Sequence, residues 1–340
     1  MYLPNSTYTW AFLITTCFQA AISIALESYV FARFQLSQAA GHASTPTSKT
    51  IPTYLTIFIF GFLYQLVLVY DSLRLKNTIQ VIGLCLYNLG MLIYAAIQYD
   101  QIKSAIGTLQ STGYIQASKD VWHDVQPYLV AAPIIIAIFT LILSFIAWKL
   151  YDEFAWTIYK HISADLRMKR RFLTFQIYIA LLKFDFFFFL GFTVQFLVIV
   201  TGLADVEKWL TVAAVPVTIL ILLFSAFWTR REYKPGMILT IFLFFCGLAY
   251  FIFKLARMYQ PSHEQFYMPV RKNLTSFAVI TIVLVVLTII NACVCTNNFD
   301  KGLKPHILKR KIGGDEEEKA NMTELPDLKH GPASNRMTID

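Results

Sequence analysis

Runs of about twenty mostly apolar residues recur along the chain, near 10–34, 53–70, 78–99, 127–150, 172–200, 209–228, 237–259 and 274–296. A helix of that length matches a ~30 Å hydrocarbon core. Water is absent there, so each backbone N–H and C=O has to be paired inside its own segment, and the runs are expected to be helices. The fold class that follows is an all-α integral membrane protein, a polytopic bundle of eight transmembrane helices with seven as the fallback. Hydrophobic residues make up 56% of the 340 and charged residues 15%, leaving no stretch able to bury a separate soluble enzyme core. The organisation expected is therefore a bundle over 1–296, with an amphipathic segment at 151–171 and a disordered polar tail at 297–340. The first apolar run lacks a basic region before it and is too long for a signal peptide, so it reads as a retained span.

Orientation follows from the basic residues. In an eight-span topology nineteen of the 29 Lys and Arg fall on one side, nine on the other, and Lys183 lies within a span. The positive-inside rule puts the richer side, and both termini, in the cytosol. One local signal opposes this, since Arg33 and Lys49 follow the first span while no basic residue precedes it. Asn5 and Asn321, in glycosylation-type triplets, would then be cytosolic, and Asn273 lies against the membrane, so none is expected to carry glycan. The basic residues flank spans, which points to lipid contact and topology rather than to nucleic acid.

The most demanding span is Phe172–Val200, FLTFQIYIALLKFDFFFFLGFTVQFLVIV, which carries Lys183 and Asp185. A charge at the bilayer centre costs at least ~2.5–3.5 kcal/mol, so each needs a partner or water. Residues i and i+2 point ~200° apart on a helix, so the two cannot pair face to face. The helix carrying them has to be contacted on both sides. Gln176 lies one heptad before Lys183, on nearly the same face, while Tyr178 and Phe192 bracket Asp185. Two readings stand: a proton or substrate site within the membrane, or polar residues that join helices. The run is longer than the bilayer core requires, so Lys183 is expected shallower than mid-bilayer.

Glu27, Lys254 and Arg257 form a second group. Glu27 and Lys254 are expected at similar depth near the outer ends of spans one and seven, where they could form an ion pair or, for the cations, snorkel to the interface. Arg167, Lys169, Arg170 and Arg171 adjoin an aromatic amphipathic stretch, the composition of a segment that contacts anionic lipid headgroups. Topogenic charge alone explains them equally well. Cys293 and Cys295, at the cytosolic end of span eight, are candidates for S-palmitoylation or plain buried thiols. His161 and Asp165 at i and i+4 make a solvated helix pair rather than a metal site. No P-loop, GxSxG or HExxH motif occurs, so no cofactor, metal or catalytic residue is assigned. Gly83, Tyr87, Gly90 and Tyr94 fall on one helix face, a small-residue seam suited to close helix contact. Proline at 127 suits a first helical turn, and Pro133 and Pro216 are expected to bend their helices.

Tyr159-Lys160, Ala164-Asp165, Arg170-Arg171, Gln176-Ile177, Gln195-Phe196 and above all Leu181-Leu182-Lys183-Phe184-Asp185 followed by Phe186 to Phe189 carry a resemblance. At these positions the chain resembles an uncharacterised fungal family of multi-pass Golgi apparatus membrane proteins. The resemblance implies a Golgi membrane location and a fungal source, and no reaction. The functional expectation is a non-enzymatic secretory-pathway membrane protein with a role in membrane organisation or trafficking. The alternatives are a proton-coupled or small-solute transporter using Lys183 and Asp185, and a receptor-like seven-helix protein.

Overall fold

The computed structural model describes residues 6–38, 46–115, 120–161, 166–200, 205–260, 267 and 270–301. They form eight long helices: α1 (Thr7–Leu36), α2 (Pro46–Arg74), α3 (Thr78–Ser111), α4 (Val121–His161), α5 (Leu166–Ile199), α6 (Asp205–Arg231), α7 (Lys234–Met258) and α8 (Arg271–Asn297). Each contains a window long and apolar enough to cross a membrane. The eight-span reading is the one the structure holds, and the seven-span fallback is not.

Local chemistry sets the ends. Ser6 caps α1 by accepting from the Thr9 backbone while Thr9 reaches back to Ser6, so two otherwise orphaned donors are satisfied. Asn77 caps α3 by accepting from the Gln80 N–H at 3.3 Å. The α2–α3 and α6–α7 turns are each closed by a residue at positive φ, Lys76 and Glu232, and Pro235 lies in the first turn of α7.

Several boundaries extend past the apolar runs. Residues 100–111 continue α3, burying Ile102, Ala105, Ile106 and Leu109 in the bundle. Residues 151–161 continue α4 and 166–171 open α5, so the stretch expected as one amphipathic surface helix is divided between two long helices. The reason is packing: Phe154, within that stretch, is buried in the bundle rather than lying on its surface. Pro127 lies inside α4 rather than at its first turn, because the helix begins six residues earlier. The tail expected beyond 297 falls, from 302 onward, outside the described residues, as does the pairing of His161 with Asp165.

Helix α5 is the hub. It packs against α2 and α3 on one side and α6 and α8 on another, while α1 packs on α2 and α4, and α7 on α6 and α8. Its phenylalanines fill recesses left by glycines. Phe184 lies where a Cβ on Gly83 would approach within 2.5 Å, and Phe188 faces Gly90. Phe187 and Met91 both face Gly61, and the Gly191 surface receives Phe277 of α8. Tyr87 packs among Phe184, Phe187 and Phe188 and donates to the Gly61 carbonyl at 2.9 Å, and Tyr94 donates to the Tyr54 carbonyl at 2.8 Å. The small-residue seam on α3 is thus a socket for rings of α5. Outward faces of α4 (Ile134, Ile138, Leu141, Phe145) and of α6 and α7 (Leu220, Leu223, Phe242, Phe245) stay exposed, as lipid-facing surfaces do.

Contacts between chain-distant segments sort into two ends. Ser6 donates to Glu153, Arg171 to the Lys301 carbonyl, and Lys234 pairs with Asp300. At the opposite end Arg33 pairs with Asp124 and Lys272 with Asp100, and Gln38 bridges to Ile115. The start of α1 and the end of α8 therefore lie at the same end of the bundle.

Candidate functional site

The two charges in the apolar part of α5, Lys183 and Asp185, are each met from a different side. The Lys183 ammonium donates to the Asp71 carboxylate at the end of α2 and to Gln80 Oε1, at 2.8 Å, in the first turn of α3. Gln80 also donates to Asp71 Oδ2 at 3.0 Å and to the Leu68 carbonyl at 2.9 Å, and the Tyr64 hydroxyl donates to the Lys183 carbonyl at 2.8 Å. Cation, carboxylate and amide form a closed triangle beside the α2–α3 turn. The Lys183 side chain accordingly reaches from the middle of α5 to the α2–α3 turn, and both charged side chains of the pair remain partly exposed.

Asp185 turns the other way. Its Oδ2 accepts from the Thr288 hydroxyl of α8 at 2.6 Å. Its Oδ1 is buried with no hydrogen-bond partner, and the residue is only 4% exposed. Asp185 also lines a cavity of about 60 Å3 between α5, α6, α7 and α8, where Thr218, Leu243, Phe244, Gly247 and Thr281 contribute to the wall. A smaller space of about 10 Å3 lies between α3, α5 and α8. Nearby, Tyr178 and Ser225 share a hydroxyl–hydroxyl bond that joins α5 to α6. Gln176 is buried and its Oε1 has no partner.

The second group does not assemble as expected. Glu27 is buried and accepts from Gln98 Nε2 of α3 at 3.0 Å. Lys254 is buried as well, its ammonium 4.0 Å from the centre of the Phe196 ring and 5.6 Å from that of Tyr250. No ion pair joins Glu27 to Lys254, because α1 packs on α2 and α4 while α7 packs on α6 and α8. Lys254 does not snorkel either, since Phe196 of α5 covers it. Arg257, half-buried, lies 5.8 Å from the Phe253 ring.

Arg167 and Arg170 are exposed, whereas Lys169 and Arg171 are half-buried, Arg171 through its bond to Lys301. The two cysteines at the end of α8 differ: Cys293 is exposed, but Cys295 is buried with its thiol 3.7 Å from the Thr174 carbonyl of α5. Burial removes Cys295 from the candidates for acylation. Asn273 is fully buried.

A polar junction that the apolar runs conceal lies in the first half of the bundle. Gln19 of α1 donates to Asn88 Oδ1 at 2.8 Å, Gln65 of α2 to the same oxygen at 3.4 Å, and Asn88 Nδ2 to Thr140 of α4 at 2.8 Å. One asparagine thereby ties four helices together. The available signal was the presence of Gln and Asn inside otherwise apolar spans, where they serve as interhelical contacts.

No protein-family model matches the chain, and no solved structure matches it. A UPF0658 Golgi apparatus membrane protein of Schizosaccharomyces pombe (strain 972) is 31% identical over 316 residues, covering 87% of this chain and 89% of the relative. Its description names a location and no reaction.

Proposed function

The chain belongs to the UPF0658 family of Golgi apparatus membrane proteins, and on that basis we propose that it is a non-enzymatic component of the Golgi membrane with a role in membrane organisation or trafficking. The observation that carries this reading is how the polar side chains within the spans are used. Lys183, Asp185, Glu27, Gln19, Gln65 and Asn88 each bond to a different helix, so the costliest residues in the bilayer serve to join the bundle. The rest of the centre is filled by interlocking rings. The basic end, which carries the start of α1 and the end of α8, faces the cytosol in this reading, with Arg167 and Arg170 placed to meet anionic headgroups.

One observation favours a carrier instead, the cavity beside Asp185. The two readings separate in liposomes. Purified full-length protein under an imposed pH gradient is expected to add no proton flux to that of empty vesicles. Cells lacking the protein are expected to mislocalise resident Golgi membrane proteins. A protein-dependent flux abolished by Asp185→Asn overturns the non-carrier reading.

A further inference from the structure

We propose that the cavity between α5, α6, α7 and α8 is a binding site for the primary ammonium group of a membrane-borne, single-chain amine, with Asp185 as its anionic partner.

Four observations lead there. First, Asp185 lines the cavity, and its Oδ1 is buried without a hydrogen-bond partner, an acceptor left open on a cavity-lining residue. The Thr288 hydroxyl has one hydrogen and gives it to Oδ2, leaving the second oxygen unserved. Second, the cation nearest in sequence is held elsewhere: Lys183 points to the opposite side of α5, where Asp71 and Gln80 hold it. A carboxylate in an apolar wall gains most from a group that brings both positive charge and hydrogen-bond donors. Third, the other polar side chains in the wall, Thr281 and Thr218, have hydroxyl lone pairs to offer. Thr281 donates its hydrogen to the Phe277 carbonyl at 2.7 Å and keeps its lone pairs, and the Thr218 hydroxyl stands on the α6 side. A primary ammonium has three N–H donors for such a set, whereas a quaternary ammonium has none.

Fourth, size and access fit. A space of about 60 Å3 takes on the order of four heavy atoms, enough for an ammonium and the first carbons of a chain. Phe189, Thr218, Leu243 and Gly247 on its wall remain half-buried, so the cavity is not sealed. All four helices are long and apolar enough to cross a membrane, and most of the wall is apolar. The ligand therefore carries an apolar chain that lies against Leu222, Phe244 and Val285 or in the bilayer outside.

The test uses full-length protein in nanodiscs of phosphatidylcholine, a lipid without a primary amine, and a dodecylamine bearing a photoreactive diazirine in its chain. Labelling is expected to saturate and to map to α5–α8. Unlabelled dodecylamine competes, while dodecyltrimethylammonium and dodecanol do not. Asp185→Asn removes the charge and lowers labelling about tenfold, the scale of one charge-assisted hydrogen bond. Gly247→Leu, at a position where an added Cβ meets no atom within 4 Å, fills the space without altering the carboxylate and has the same effect. Folding of both variants is checked by monodisperse elution. Unchanged labelling in Gly247→Leu, or equal competition by the trimethylammonium compound or the alcohol, overturns the assignment.

Discussion

Lys183 of α5 and Asp71 of α2 form an ion pair across 112 residues of sequence, closed on its third side by Gln80. The pair fixes the depth of the central helix against the α2–α3 hairpin. Its partial exposure places its value between the ~0–1 kcal/mol of a surface pair and the ~3–5 kcal/mol lost when a buried pair is broken. Lys183→Asp and Asp71→Lys are each expected to lower the detergent-solubilised melting temperature and reduce Golgi delivery, and the double exchange to restore much of both. A double variant as defective as the singles refutes the pairing.

The ring-in-glycine packing makes a sharper prediction. A Cβ at Gly191 would come within 2.4 Å of Phe277, and one at Gly83 within 2.5 Å of Phe184. Gly191→Val and Gly83→Val are expected to destabilise by ~1–3 kcal/mol through overpacking. Gly107→Ala, where nothing lies within 4 Å, is expected to be neutral or slightly stabilising, as glycine in a helix costs ~1 kcal/mol relative to alanine. Thermal denaturation of the three variants side by side checks the ranking.

For Glu27 the structure predicts that the amide analogue is tolerated. Glu27→Gln keeps an acceptor for Gln98, whereas Glu27→Leu leaves the Gln98 amide buried without its partner, a loss of ~1–3 kcal/mol. Comparing the two by thermal shift decides whether the acid acts as an acceptor here or is needed for its charge.

The cysteines at the end of α8 offer a chemical readout. In variants retaining a single cysteine, Cys293 is expected to react with a maleimide in the folded protein and Cys295 only after unfolding, since α5 covers its thiol. Acyl exchange after hydroxylamine then reports modification at Cys293 and none at Cys295. Equal reactivity of the two thiols contradicts the packing of α8 on α5.

Helix number, the need for contacts on both sides of α5 and the α3 seam were all readable from the residues. Their reasons are local: apolar run length, the angle between i and i+2, and glycine spacing. The partners were not readable to the same degree. Asp71 stands in a polar stretch that looks solvated, and only the fold brings Lys183 down to it. Glu27 and Lys254 are the converse case, alike in expected depth but on helices that are not neighbours. Position along a span reports depth, whereas the order of helices around the bundle comes from ring and glycine shapes that meet only in three dimensions. The Asn88 junction was hidden for the same reason, since each of its four members is an isolated polar residue in its own run.

The placement of the two α5 charges also has a consequence in time. Asp71 and Gln80 precede Lys183 in the chain, so its partners already exist when α5 leaves the ribosome. Thr288 follows Asp185 by 103 residues. At ~5–20 residues per second that interval is roughly 5–20 s. During it the lysine can dock while the aspartate waits, and a growing chain in that state presents a half-finished bundle with one acid still open. The arrival of α8 supplies the Thr288 hydroxyl and closes that open acid into the bundle.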